Sequence, residues 1–145
     1  MPATFVVDAS VFLSAARAQE KSHFDSQRFL AHLQANAVPI IAPTLLLPEV
    51  GGAAGRASGT GPARHLVTAI AGLTHTILVP LDRALAQVAA DIAGQCGLRG
   101  SDAVYAAVAL RFGTCLVTLD REQRERVAGL IDAQYPAEAC AGLGL

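Results

Sequence analysis

Tryptophan is absent and aromatic residues are scarce: five Phe and two Tyr make up 5% of the 145 residues. This argues against binding that depends mainly on stacking rings against nucleobases. It also leaves a core packed from Ala, Val, Leu and Ile in a chain that is 52% hydrophobic. Cysteine is equally thin. Cys96, Cys115 and Cys140 form neither a CxxC pair nor an even set, which argues against a disulfide framework or a zinc site and points to reduced thiols. Lysine occurs once, at Lys21, so the glycines at 51, 52, 55, 59 and 61 lack the Gly-Lys-Ser/Thr sequence of a phosphate-cradling loop. An excess of one charge is also missing. With a formal net charge of −1, nothing draws a polyanion to the molecule as a whole, and local Arg groups would have to do so. His23, His32, His65 and His75 share no ligand-like spacing, and no Ser-His-Asp or Cys-His arrangement suggests itself. The longest uncharged stretches, 31–48 and the run from His65 up to Asp82, contain Pro, His and Gly and do not read as membrane spans. No basic segment leads into a cleavable apolar run, because Asp8 interrupts the first one. A soluble, cytoplasmic protein is expected, with no membrane partner.

Strand and helix patterns alternate along the chain. Thr4 to Val7 reads as a strand ending in Asp8, followed by helical character from Val11 to Arg17. Phe24, Arg28, Leu30 and Leu33 suggest a second helix, closed near Asn36-Ala37, and Pro39 to Ala42 a buried strand. Pro43-Thr44 is expected to start a helix that carries Glu49 and frays into a glycine-rich loop, the next helix beginning near Pro62. Thr76 to Val79 is a third strand. Asp82 is placed to cap a helix bearing Leu85, Val88, Ala89 and Ile92, ended by Gly94 and Gly97. Ser101 is expected to cap the next, which presents Val104, Tyr105 and Val108 until Gly113 stops it. Cys115 to Leu119 is a fourth strand ending in Asp120, and Arg121 to Val127 a charged, exposed helix. The tail is weakly patterned, with a fifth edge strand placed near Leu130 to Asp132. Such alternation implies one α/β domain over 1–145, a three-layer α/β/α sandwich around a parallel sheet of four to five strands. Ligands of these sheets gather at the carboxyl ends of the strands.

Asp8 and Asp120 fall at that edge, and Glu49 and Asp102 lie on helices among apolar neighbours. Each acid alone has an ordinary reading as a cap, a turn residue or a first-turn acid. Together they suggest a shared pocket. Carboxylates about 5 Å apart repel by roughly 3 kcal/mol per pair at an effective dielectric near 20. Either one takes up a proton or a divalent ion neutralises the group. All-oxygen ligation favours Mg²⁺ or Mn²⁺, and such an ion activates water for attack on a phosphodiester. Ser10 and Thr118 lie two residues from Asp8 and Asp120 and either orient those carboxylates or serve as ordinary helix-start and strand residues. Arg56, seven residues beyond Glu49, and Arg99, just before Ser101-Asp102, are either phosphate-holding groups or solvated arginines. Glu122 either joins the acids or supports its own helix. A metal-dependent phosphatase using Asp8 as nucleophile is a rival, but its usual second aspartate is Ser10 here and no late lysine exists.

In the segments FVVDASVFLSA, PTLLLPEVGGAAGRA, GLRGSDAVYAAVAL and CLVTLD the chain resembles PIN domains, most of all the compact VapC-type toxins of toxin–antitoxin pairs. The resemblance implies a PIN-like fold and a metal-dependent endoribonuclease. Asp8, Glu49, Asp102 and Asp120 match the family's acidic metal-binding positions, with Ser10 and Thr118 at its hydroxyl positions. It further implies RNA as substrate, Mg²⁺ or Mn²⁺ as cofactor, a homodimer, and inhibition by a small cognate antitoxin. A degenerate domain that binds RNA or protein without cleaving is the non-enzymatic alternative. Where many relatives have a further aspartate, this chain has Arg121-Glu122-Gln123.

Overall fold

Strands β1 (Phe5–Val7), β2 (Ile40–Pro43), β3 (Thr76–Val79), β4 (Cys115–Val117) and β5 (Ala133–Gln134) build one sheet in the computed structural model, which describes residues 4–145. Their order is β3-β2-β1-β4-β5, and every neighbouring pair is parallel. Successive side chains of a strand point to opposite faces, and the core divides accordingly. Phe5, Val7, Ile40, Ala42 and Val117 join one buried cluster. Val6, Ile41 and Leu116 join another across the sheet.

The first face is covered by α1 (Ala9–Ala16), α2 (His23–Ala35), α3 (Leu46–Ser58) and α8 (Pro136–Gly142), with Ile70 of α4 (Thr60–Ala71) completing the layer. Phe5 meets Phe29 edge-on, ring centroids 5.2 Å apart. The second face is covered by α5 (Arg83–Cys96), α6 (Gly100–Phe112) and Val127 of α7 (Arg121–Val127). Residues Ala103 to Ala109 of α6 are buried all the way round, as expected of a helix enclosed between sheet and neighbour. The result is the expected α/β/α sandwich with five parallel strands.

Several local expectations are corrected. The glycines after Glu49 do not form a loop: α3 runs unbroken to Ser58, and the break comes at Gly59 with φ +90. Burial of Leu46, Val50 and Ala54 offsets the helix-propensity loss of up to about 1 kcal/mol per Gly. The following helix begins at Thr60, so Pro62 lies in its first turn, where a missing N–H costs no helical bond. Thr44 precedes the start of α3, whose first residue is Leu46. Gly94 lies inside α5, which ends at Gly97 in the left-handed region. Ser101 does not cap α6. That position belongs to Arg99, and Ser101 sits in the first turn. Asp82 does cap α5, accepting from Leu85 N–H at 2.9 Å. The last strand falls just after the expected 130–132, and the tail then forms α8, which buries Ala139 and Cys140. A seven-residue helix gives little periodic signal; this one starts with Pro136 and is tied at its entry by Glu138 accepting from Tyr135 N–H at 2.9 Å.

Candidate functional site

The carboxyl ends of β1 and β4 are adjacent in the sheet, and each turns directly into a helix capped by an acid. Asp8 caps α1, its Oδ1 accepting from Ser10 N–H at 3.0 Å and from the Ser10 hydroxyl at 2.5 Å. Asp120 caps α7, its Oδ1 accepting from Gln123 N–H at 3.1 Å. The hydroxyls tie the two turns together. Ser10 Oγ accepts from Leu119 N–H at 3.0 Å, and Thr118 donates to Asp8 Oδ2 at 2.5 Å while accepting from Asp120 N–H at 3.0 Å. Both therefore orient carboxylates.

Asp8 is only 5% exposed. Burial pushes its carboxyl up to about 6, against the hydrogen bonds from Ser10 and Thr118, with the charge of Asp102 adding to the rise. Glu49 is raised as well, first by partial burial. The Tyr105 hydrogen bond opposes this, Asp102 reinforces it and Arg99 moderates it. Asp102 is raised by burial, opposed by Arg99, and raised further by Asp120 and Glu122. The charge of Asp102 thus adds to the rise at both Asp8 and Glu49, and that of Asp120 to the rise at Asp102.

Arg99 is the cation of this region. Its Nε lies 3.3 Å from Asp102 Oδ2 and one terminal nitrogen 3.4 Å from Asp120 Oδ2. Arg56 is exposed in the last turn of α3 and, among the described residues, pairs with none of the acids; its guanidinium folds back along the helix toward Gly52, with one terminal nitrogen 3.3 Å from where a Cβ there would stand. Glu122 pairs with Arg126 at 2.5 Å on the solvent side of α7, so its effect on Asp102 is through space.

Two buried groups at the site escape a reading of the sequence. Tyr105, one helical turn beyond Asp102 on α6, donates its hydroxyl to Glu49 Oε1 at 2.6 Å. Gln123 is fully buried. Its Oε1 lies 2.9 Å from the Thr118 hydroxyl, and its Nε2 donates to the Asp102 carbonyl at 3.0 Å, linking β4 to α6. A polar uncharged residue four before the buried Val127 was the available signal for Gln123, and the i, i+3 spacing from Asp102 that for Tyr105.

Among the described residues, no group of three or more His, Cys, Asp or Glu side chains is drawn close enough to hold a metal ion as it stands. The expected cage is not preformed. In kind, the donor set fits a hard divalent cation. It offers only oxygen donors near Asp102, with a guanidinium standing between two of them in the cation's place.

The family model for the PIN domain matches residues 5–129. Among solved structures, Mycobacterium tuberculosis VapC20, described as a Sarcin-Ricin loop cleaving toxin, aligns with a TM-score of 0.72 at 20% identity, over 88% of this chain and 96% of its own. PAE2754 from Pyrobaculum aerophilum aligns with a TM-score of 0.68 at 25% identity, over 99% and 90%. VapBC2 from Rickettsia felis, bound to a DNA fragment from its promoter, gives 0.68 at 14% identity, over 91% and 98%. No curated protein matches the chain significantly. The parallel sheet, the acid-capped turns at its carboxyl edge and a match from Phe5 to Gly129 converge: the chain belongs to the PIN-domain family.

Proposed function

We propose that residues 1–145 act as one domain, a divalent-metal-dependent endoribonuclease that serves as the toxin of a toxin–antitoxin pair. What supports this is the placing of Asp8 and Asp120 as helix caps at the carboxyl ends of the adjacent strands β1 and β4, with Arg99 joining Asp120 to Asp102 and Tyr105, one turn beyond Asp102, holding Glu49. Fold likeness to a toxin described as cleaving the Sarcin-Ricin loop supports it, and so does likeness to toxin–antitoxin complexes. Asp8, Asp102 and Asp120 would hold Mg²⁺ or Mn²⁺, with Glu49 as a further ligand or as the group positioning water. When bound, such an ion lowers the pKa of water and stabilises charge on the phosphodiester during in-line attack.

The chain's own residues set the stage for that step. Ser10 and Thr118 fix the Asp8 carboxylate from two sides. Tyr105 fixes Glu49, and Arg99 offers a guanidinium fork to a phosphate. RNA is the proposed substrate and a small antitoxin protein the partner, with a homodimer in the cytoplasm as the working form. No described helix is long and apolar enough to cross a membrane.

The test is cleavage of a mixed RNA pool by purified protein in Mg²⁺ or Mn²⁺. Asp8→Asn and Asp102→Asn should each abolish cleavage while the circular dichroism spectrum is retained. Equal cleavage by parent and variants would end the proposal. One observation favours a second reading: acids not already drawn together among the described residues suit a domain that binds RNA or protein without cleaving it. Stable RNA binding without products in either metal would select that reading.

A further inference from the structure

We propose that Arg99 works in two positions: it bridges Asp102 and Asp120 in the metal-free protein, and it is released to hold a substrate phosphate once a divalent cation takes those carboxylates. The inference rests on the nuclease reading above and adds a residue that links metal occupancy to substrate binding.

Competition for the same oxygens is the first argument. Both contacts of Arg99 go to Oδ2 atoms. Oδ1 of Asp120 is committed to the N–H of Gln123 as the cap of α7, so Oδ2 is the oxygen Asp120 has left for a metal. A guanidinium and a divalent cation sharing that oxygen would repel each other at short range, so each weakens the other's hold.

Weakness of the bridge is the second. At 3.3 and 3.4 Å the contacts are longer than the roughly 2.7–2.9 Å of a strong charge-assisted bond. The Arg99 side chain is 76% exposed. Solvent screening and side-chain entropy leave exposed pairs of this kind little net strength. The bridge is easily exchanged for a multiply charged ion.

Anchoring is the third. Arg99 is the N-cap of α6, its carbonyl accepting from Ala103 N–H at 3.0 Å. The backbone therefore stays in place while the side chain swings, and the freed guanidinium remains within its own length of the two acids. Among the described residues Arg99 forms no ion pair besides these two, so release breaks nothing else. A phosphate seated beside the acids supplies the planar, bidentate acceptor that the fork matches.

The consequence is a pair of effects of opposite sign from one substitution. Calorimetric titration of the full chain with MnCl₂ should show Arg99→Gln binding Mn²⁺ about fivefold more tightly than the parent, the worth of two exposed pairs removed. At saturating Mn²⁺, the KM for mixed single-stranded RNA should rise severalfold in the same variant. Arg121→Gln is the control. It removes an equal charge beside Asp120 in sequence, but Arg121 pairs with Glu125 at 2.9 Å, and it should change neither quantity. Equal tightening by the two variants, or an unchanged KM in Arg99→Gln, would overturn the two-position arginine while leaving the nuclease reading intact. A parent chain that binds no Mn²⁺ and cleaves no RNA would overturn both.

Discussion

Replacing Asp8 by Asn should make the protein more stable at neutral pH while removing its activity. Asp8 is 5% exposed, with its carboxyl pushed up to about 6 from 3.8. At about 1.4 kcal/mol per pH unit, holding that charge at pH 7.5 without a counter-ion costs on the order of 3 kcal/mol. Asparagine removes the charge and keeps the shape.

The hydrogen bonds can be kept too. The side-chain oxygen of Asn still accepts from Ser10. Thr118 has one proton and two acceptors in reach, Asp8 Oδ2 at 2.5 Å and Gln123 Oε1 at 2.9 Å. With an amide at position 8, the Thr118 proton turns to Gln123 and its oxygen accepts from the new NH₂ group. A melting temperature higher by roughly 10 °C is expected at pH 7.5 in EDTA, taking about 4 °C per kcal/mol for a chain of this length.

The pH dependence identifies the cause. The native carboxyl retains its proton above the pH at which the unfolded chain releases it. Stability of the parent attributable to Asp8 is therefore full below about pH 4, falls as pH rises toward 6, and is flat above. Thermal melts of parent and variant from pH 4 to 8 should diverge through that window and converge at its acid end. A variant less stable than the parent at pH 7.5, or a difference independent of pH, would refute the reasoning.

Other substitutions separate the supports of the site. Tyr105→Phe removes the 2.6 Å bond to Glu49 and should cost about 1–2 kcal/mol in urea melts, with RNA cleavage reduced and partial burial of Glu49 unchanged. Gln123→Leu leaves the Asp102 carbonyl without its side-chain donor. It should destabilise by about 1–3 kcal/mol in the same melts and lower activity more than a remote change of equal cost. Gly113→Ala should cost about 1 kcal/mol with no effect on cleavage, since its φ of +62 is strained for any Cβ although no atom lies within 4 Å of the added carbon.

The parts of this structure legible in the sequence are those with local causes. Val6 and Val7 followed by Asp8, and Leu116 and Val117 followed by Asp120, announce strand, turn and capped helix within a few residues, and the α/β/α order follows from their alternation. Ser10 was reachable because it lies two residues from Asp8, which it orients; Thr118, two residues before Asp120, instead donates to Asp8 across 110 positions and only accepts the Asp120 N–H. What stayed hidden depends on contacts between distant segments. The Tyr105 hydroxyl meets Glu49 across 56 positions, and nothing near either residue announces the other. Five glycines argued for a loop after Glu49, yet the first three lie within α3, where Leu46, Val50 and Ala54 bury deeply enough to hold the helix. Arg56 and Arg99 each follow or precede an acid in the sequence, but only the fold shows that Arg99 bridges Asp102 and Asp120 while Arg56 lies back along its own helix against Gly52. The closeness of the acids was overestimated for a physical reason. Burial, more than the charge of neighbouring acids, raises Asp8 and Asp102, Arg99 stands between Asp102 and Asp120, and among the described residues no three acids gather into a cage.

The most direct measurement is an anomalous difference map from crystals soaked in MnCl₂. The account predicts a peak bounded by the carboxylates of Asp8, Asp102 and Asp120, with Glu49 beside it. Full soaking with no peak at those oxygens, or a peak held elsewhere on the molecule, would contradict it.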